Sequence, residues 1–577
     1  MTTTVTPFSL SSPSWPHCAH GADPASDPIG CRGRQVEPYS ACLTHLADAD
    51  RHTYFNTLTS GSDIDHRGTT ISPNLLQQLL DALRDPATGR PCIGVARFDQ
   101  ATFPGDIEFT GTKFSGKALF GGAIFSGEAG FVKAVFSGDA GFLYATFSGT
   151  AKFSGATFAG DALFYGATIS KAWFDGATFF GNAMFAGVTF ESVSQLGPVV
   201  CERVFSLSGS RFGCPVSIKV AAMRLECQRT QWDSTATLQL RYATVNLTDA
   251  VLEYPLSITA QTAPFTTLLG ALSEGQLAQL RQLASSDPTT RIESLTIEGV
   301  ALEEGQLAGS DPRVRIESLR GTDAVHLVLN GVDLGTCLLT GTVHLDQLRL
   351  EGECPLPLAP PGLRWTARRT MAEEQHWRAA QGRSGWAAAP TGVEVVGPEV
   401  LAPVYRQLRK CFEDAKNEPD AADFYYGEME MRRHDRNRPR AERALLALYW
   451  AVSGYGLRAS RALGWLLGAM TATVLVMMLW GLPVVDPKPA TTGQLTGHTI
   501  SLTTDTPAPV NPSGPLRSRL TSERWEKAQR IVVNSVVFRS SGQDLTTWGT
   551  YTEMACRLTE PVLLGLAALA IRGRIKR

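Results

Sequence analysis

Neither sign of charge dominates this sequence: 53 Lys and Arg stand against 55 Asp and Glu among 577 residues. That balance argues against general nucleic-acid binding, which needs a basic face. Residues 1–14 lack both a basic start and an apolar run, so a cleaved secretory signal is not expected. Cysteine is sparse and irregular. Eleven scattered thiols, an odd number, do not make a disulfide framework and read as free thiols or metal ligands. The marks of catalysis are also missing. No G-x-S-x-G, H-E-x-x-H, Walker loop or G-x-G-x-x-G in a strand–helix context occurs. Adjacent carboxylates such as Glu373-Glu374 and Glu303-Glu304 read as surface charge. An enzyme is not expected.

What the chain has is a repeat. Phe stands at 98, 103, 109, 114, 120, 125, 131, 136, 142, 147, 153, 158 and 164; Ile169 takes the next place, and Phe174, Phe179, Phe185 and Phe190 follow. Steps of 5 and 6 alternate, giving the unit F-S-G-x-A-x-F-x-G-A-x, and two successive steps of 5 after Ile169 break the alternation once. Such a period is neither 2 nor 3.6, and fixed self-similarity marks a solenoid. One ring per short segment points inward and stacks on the ring one coil away. Ala or Thr fills the space between rings, and Gly and Ser turn the corners. A single coil leaves its faces open, so neighbours must stack to complete the core.

Residues 98–190 resemble the pentapeptide-repeat family. The resemblance implies a mainly β fold, a right-handed quadrilateral β-solenoid, here followed by a helical hairpin and a two-helix transmembrane region. The 5/6 alternation departs from the family's strict five, so longer or bulged coils are expected. Some members of the family mimic DNA with an acidic solenoid and protect or inhibit topoisomerases. Here Asp99, Asp106, Glu108, Glu128, Asp139, Asp161 and Asp175 are balanced by Arg97, Lys113, Lys117, Lys133, Lys152 and Lys171. A near-neutral wall has no electrostatic basis for that mimicry.

The chain divides as follows. Residues 1–90 form a Cys/His segment with a helix, and 91–198 the Phe-ladder solenoid. Residues 199–352 continue it less regularly, since Leu238, Leu240, Val245 and Leu247 keep an inward spacing of about five; 263–320 interrupt it. Within that insertion 276–283 reads as helical, and 286–295 is echoed by 310–319. Residues 353–398 are a linker whose polar stretch 364–383 reads as a helix. Residues 399–461 hold a cytoplasmic helical hairpin, with Tyr405, Leu408 and Phe412 at helical spacing and a break at Asn417-Glu-Pro419. It is similar to one tetratricopeptide-like unit.

In the N-terminal segment, Cys18, Cys31, Cys42 and His45 make a Cys3His set suited to a structural zinc ion, with His20 as a substitute ligand. Soft S/N donors suit tetrahedral zinc, and a segment poor in apolar residues needs a staple. The competing reading is a tail with incidental Cys and His. Cys201, Cys214 and Cys227, evenly spaced, read as core thiols rather than a metal set.

Residues 462–485 carry no charge and are long enough to span a bilayer. Residues 486–550 read as a Thr/Pro-rich extracytoplasmic loop with a re-entrant segment, and 551–577 as a second span with a basic tail. The positive-inside rule places Arg458, Arg461, Arg432, Arg433 and Arg436 in the cytoplasm, while Arg517, Arg519, Arg524 and Arg530 in the loop weigh against two spans. Arg557 and Glu560, on one helical face, are expected to pair with each other or across an oligomer. Residues 462–577 look like the two-transmembrane pore module of potassium-type channels. There 531–538 would be the pore helix, and Ser540-Ser-Gly-Gln-Asp-Leu545 stands at the filter. The family's filter is T-V-G-Y-G, which neither this stretch nor Thr546-Thr-Trp-Gly549 supplies. The expected protein is a multi-pass cell-membrane scaffold whose cytoplasmic solenoid meets an unnamed protein partner. It would oligomerise with itself through the transmembrane region, without nucleic acid. An ion-channel-like protein regulated by the solenoid is the alternative.

Overall fold

The computed structural model describes residues 12–267, 300–360, 368–484, 487–496, 499–505, 507–538 and 545–575. The chain forms two compact units, Met1–Val396 and Gly397–Arg577.

The first unit is mainly β, a solenoid of about 11 turns. Successive coils pair in parallel. Val135-Phe136 lies between Lys113-Phe114 and Thr157-Phe158, an advance of 22 residues per coil (135 − 113 and 157 − 135). Two steps of 5 and two of 6 make that coil, so it is longer than four strict fives. Phe136 stacks on Phe114 at 4.8 Å and on Phe158 at 4.7 Å, rings nearly parallel. The Phe ladder is fully buried, as are the alanines between its rings, with Ala118, Ala140 and Ala162 in one column. Corners take left-handed backbone, as at Lys133 (φ 53°) and Gly155 (φ 65°) one coil later. The break after Ile169 shortens a coil to 21 residues (190 − 169). Beyond it the spacing falls to 20, since Phe212, Trp232 and Leu252 share one column. The stretch that reads as irregular in sequence thus has the more uniform coil, with Leu, Val and Trp in place of Phe.

One column runs the whole length. Each of His66, Phe98, Phe120, Phe142, Phe164, Phe185, Leu207, Cys227, Leu247 and Leu319 donates its N–H to the carbonyl just before the next member, and Leu339 ends the series. Parallel pairing of Thr244–Asn246 with Arg315–Ser318 shows that the wall resumes at Arg315, inside the stretch expected to be insertion. The expected helix over 276–283 and the first echo copy, 286–295, lie outside the described residues. Within the insertion Glu304 is buried, not surface charge. It pairs with Arg241 at 2.6 Å and accepts from the Tyr242 hydroxyl.

Both ends of the solenoid are closed. At the first coil, His66 lies under Phe98 and Ile93 pairs beside Phe114. Helix α2 (Pro73–Ala82), capped by Ser72 at the Leu75 N–H, buries Leu75, Leu76, Leu79 and Leu80. At the last coil sits α3 (Ala372–Ala380), within the stretch expected to be helical; 361–367 are outside the described residues. Here the expectation of surface charge at Glu373-Glu374 fails, because both carboxylates are buried. Glu374 is paired with Arg368 and Arg378 at 2.6 Å each. Glu373 takes two backbone N–H groups of the terminal coil. Without such partners the end of a solenoid is an open β-edge.

The second unit is helical. Helices α4 (Pro398–Asp414) and α5 (Glu418–His434) form the hairpin, Phe412 stacking on Phe424 at 5.0 Å, and α6 (Arg440–Ser453) follows. Helix α7 (Ala459–Val476) runs into a π-helical turn, Met477–Gly481. The expected loop holds an antiparallel hairpin, Ala490–Thr496 with Thr499–Asp505, where β-branched Thr is dense. Helix α8 (Ser522–Phe538) packs Ala528, Ile531 and Val532 against Val474, Met477 and Met478. Arg524 donates to the carbonyls of Met478, Leu482 and Pro483, and Arg519 to that of Leu479, closing carbonyls a helix end leaves open. Helix α9 (Thr547–Ile575) ends the unit. Ala459–Gly481 and Thr547–Ile571 are each long and apolar enough to cross a membrane. Arg557 pairs with Glu553 at 2.7 Å rather than with Glu560, which instead accepts from Thr473 Oγ1 at 3.0 Å.

Candidate metal centre

Residues 15–46 form the cover on the first coil. An irregular hairpin brings Cys18 beside Cys31: the Cys18 N–H bonds Gly33 O at 2.8 Å, the Ala19 N–H bonds Cys31 O at 2.9 Å, and the Cys31 N–H bonds His20 O at 2.9 Å. Ala19, Gly21 and Gly30 turn it with left-handed backbone. Cys42 and His45 come from a tight turn in which the N–H groups of His45 and Leu46 both reach Cys42 O. Arg51, on α1 (Asp48–Thr57), holds the turn by donating to the Leu43, Thr44 and Leu46 carbonyls. A Cβ at Gly33 would lie 2.8 Å from Cys42 Cβ, so only glycine lets the two strands of the site approach this closely.

The four expected ligands converge. Cys18 Sγ, Cys31 Sγ, Cys42 Sγ and His45 Nδ1 all lie within 4.8 Å of one another. Cys31–Cys42 is 3.8 Å, Cys18–His45 3.5 Å and Cys42–His45 3.4 Å. A tetrahedron with Zn–S near 2.3 Å and Zn–N near 2.0–2.1 Å has S–S edges of about 3.8 Å and S–N edges of about 3.5 Å. The donor set therefore fits zinc in chemistry and size. His20 is not a fifth donor; its ring stacks on His45 at 4.1 Å. The hydrogen bond from Cys42 draws the Cys31 thiol down to about 5, and pushes the Cys42 thiol up. The pair is poised to give up its first proton readily, as a metal thiolate must.

The centre is tied to the solenoid. Arg34 pairs with Asp65 at 3.0 Å and its N–H bonds Arg67 O at 2.8 Å; Trp15 donates to Arg32 O and lies under Arg67. Sequence spacing alone did not point to Arg51 or Gly33, whose roles exist only once the turn and hairpin meet. Cys201 and Cys227 are buried in the solenoid, and Cys214 donates to Val193 O; none joins a metal cluster among the described residues.

A second feature lies on the wall. Where the coil shortens, Lys171, Trp173, Gln195, Pro198, Lys219 and Thr266 line a cleft of about 730 Å³. Trp173 is 55 % exposed, with Lys152 over its ring at 5.5 Å.

Residues 98–143, 109–157 and 153–194 match the family described as pentapeptide repeats (9 copies). No curated protein and no solved structure matches the chain.

Proposed function

We propose that this chain is a membrane-anchored scaffold whose rigid β-solenoid docks a protein partner, with a structural zinc ion stapling its first coil. The carrying observation is a continuous buried column closed at both ends, in a chain that also holds two helices long enough to span a bilayer. Cys18, Cys31, Cys42 and His45 would hold the zinc; four protein ligands leave no position for water, so its contribution is cross-linking rather than chemistry. The cleft at Trp173 is the docking place we favour. An exposed Trp flanked by Lys171 and Lys219 suits a polypeptide segment with an acidic side chain.

Two spans place the solenoid and the C-terminal tail in the cytoplasm, with 486–550 outside. The use of Arg519 and Arg524 as caps on the end of the first span supports this, because it gives those arginines a task other than marking the cytoplasmic side. A second reading keeps 462–577 as a channel-like module that the solenoid regulates. Its support is α8, packed between the two candidate spans where a pore helix would stand; the filter position, 539–544, lies outside the described residues. Membrane fractionation with elemental analysis tests the main reading. The full chain should stay with membranes after a carbonate wash and carry about one zinc, as a single Cys3His centre requires. A chain released by the wash is not an anchored scaffold.

A further inference from the structure

Helix α6 is inside out. Glu442 accepts from Arg432 and Arg438 at 2.9 and 2.7 Å, and Arg443 donates to Arg433 O, so its charged groups turn toward the protein. Its exposed stripe is Ala441, Ala444, Leu445 and Leu448, at the i, i+3, i+4, i+7 spacing of one helical face. Leu445 and Leu448 are 66 % and 61 % exposed. A helix facing water carries the opposite arrangement.

The stripe does not end at the helix. With Leu558, Val562 and Leu566 of α9 it lines an almost wholly apolar groove of about 620 Å³. Leu558 and Val562 are themselves exposed. The far end of α6 is level with the start of the first candidate span, since Arg461 and Trp465 of α7 donate to the carbonyls of Trp450 and Ala451. Arg436 and Arg440, both exposed, sit at its start.

We infer that α6 is a third membrane-contacting helix, lying in the bilayer interface. Leu445 and Leu448 face acyl chains that fill the groove beside α9, and Arg436 and Arg440 meet anionic headgroups. The apolar face is continuous with the candidate span, and exposed arginines complement phospholipid charge; interfacial helices bury such a face at the headgroup–acyl boundary. This inference rests on the membrane reading above.

Photo-crosslinking separates the two. The full chain is reconstituted in vesicles of phosphatidylethanolamine and phosphatidylglycerol, with Leu448 or Val562 replaced by benzoylphenylalanine. Phospholipid adducts at both positions are expected, in comparable yield. Adducts at 562 with none at 448, or a protein–protein adduct at 448, overturn the interfacial helix while the spans stand. Adducts at neither position remove the membrane reading and this inference together.

Discussion

Glu373 Oε1 accepts the Leu339 N–H at 2.6 Å, and that of Thr340 at 2.8 Å, standing where a further coil would present carbonyls. The carboxylate does for the last rung what each coil does for its neighbour. Burial pushes the Glu373 carboxyl up, and its second oxygen has no hydrogen-bond partner. Shape and acceptor matter at this position more than charge.

Glu373→Gln keeps the acceptor and removes the cost of burying a charge, so the terminal coil should be as stable as wild type or slightly more so. Glu373→Ala leaves two buried donors unpaired and should cost roughly 2 kcal/mol or more. Amide exchange at Leu339 and Thr340 reads both variants; equal protection in wild type and Glu373→Ala refutes the cap.

His66 opens the column that Phe98 continues. Burial lowers its pKa to about 4, and its neighbours are the Tyr54 hydroxyl at 3.3 Å and the Asp65 carboxylate. The unfolded chain binds a proton below about pH 6.5 that the folded one refuses until about 4. Stability from this group is therefore present above pH 6.5 and lost as pH falls toward 4, roughly 3 kcal/mol in all. His66→Phe, which extends the ring stack, should flatten this acid limb in unfolding measurements between those pH values.

Phe136 sits mid-ladder, fully buried between two parallel rings. Phe136→Ala should cost roughly 3–5 kcal/mol by leaving a cavity the stack cannot close. Denaturant unfolding of the ladder measures it.

The ladder was legible because one large ring per side repeats at a fixed step, and even the single break after Ile169 corresponds to the one 21-residue coil. The metal ligands were legible as a soft donor set, although their spacing matches no standard finger; Ala19, Gly21 and Gly30 supply the turns that make such spacing work. Glu373, Glu374 and Glu304 were misread as surface charge. Nothing local marks a carboxylate that will be enclosed by a distant coil or by Arg241, Arg368 and Arg378. The hairpin at 490–505 was missed because Thr- and Pro-rich composition masks strand propensity. The outward stripe on α6 was hidden because its apolar residues at helical spacing look the same whether they face a core or lipid.

Cys31→Ser should lose zinc and the order of residues 15–46, while the Phe ladder stays folded. Elemental analysis with amide exchange of the full chain, with and without chelator, checks it. Wild-type protein without metal and with unchanged exchange on chelation would end the zinc reading.

Affinity capture from detergent-solubilised membranes tests the scaffold role most directly. The tagged full chain and its Trp173→Ala variant are expressed at equal level, and co-purifying proteins are compared by mass spectrometry. A defined, stoichiometric partner should accompany the wild type and be lost from the variant, with both chains in the membrane fraction. Identical protein sets from wild type and variant, or no stoichiometric partner in either, would contradict a solenoid that docks through this cleft.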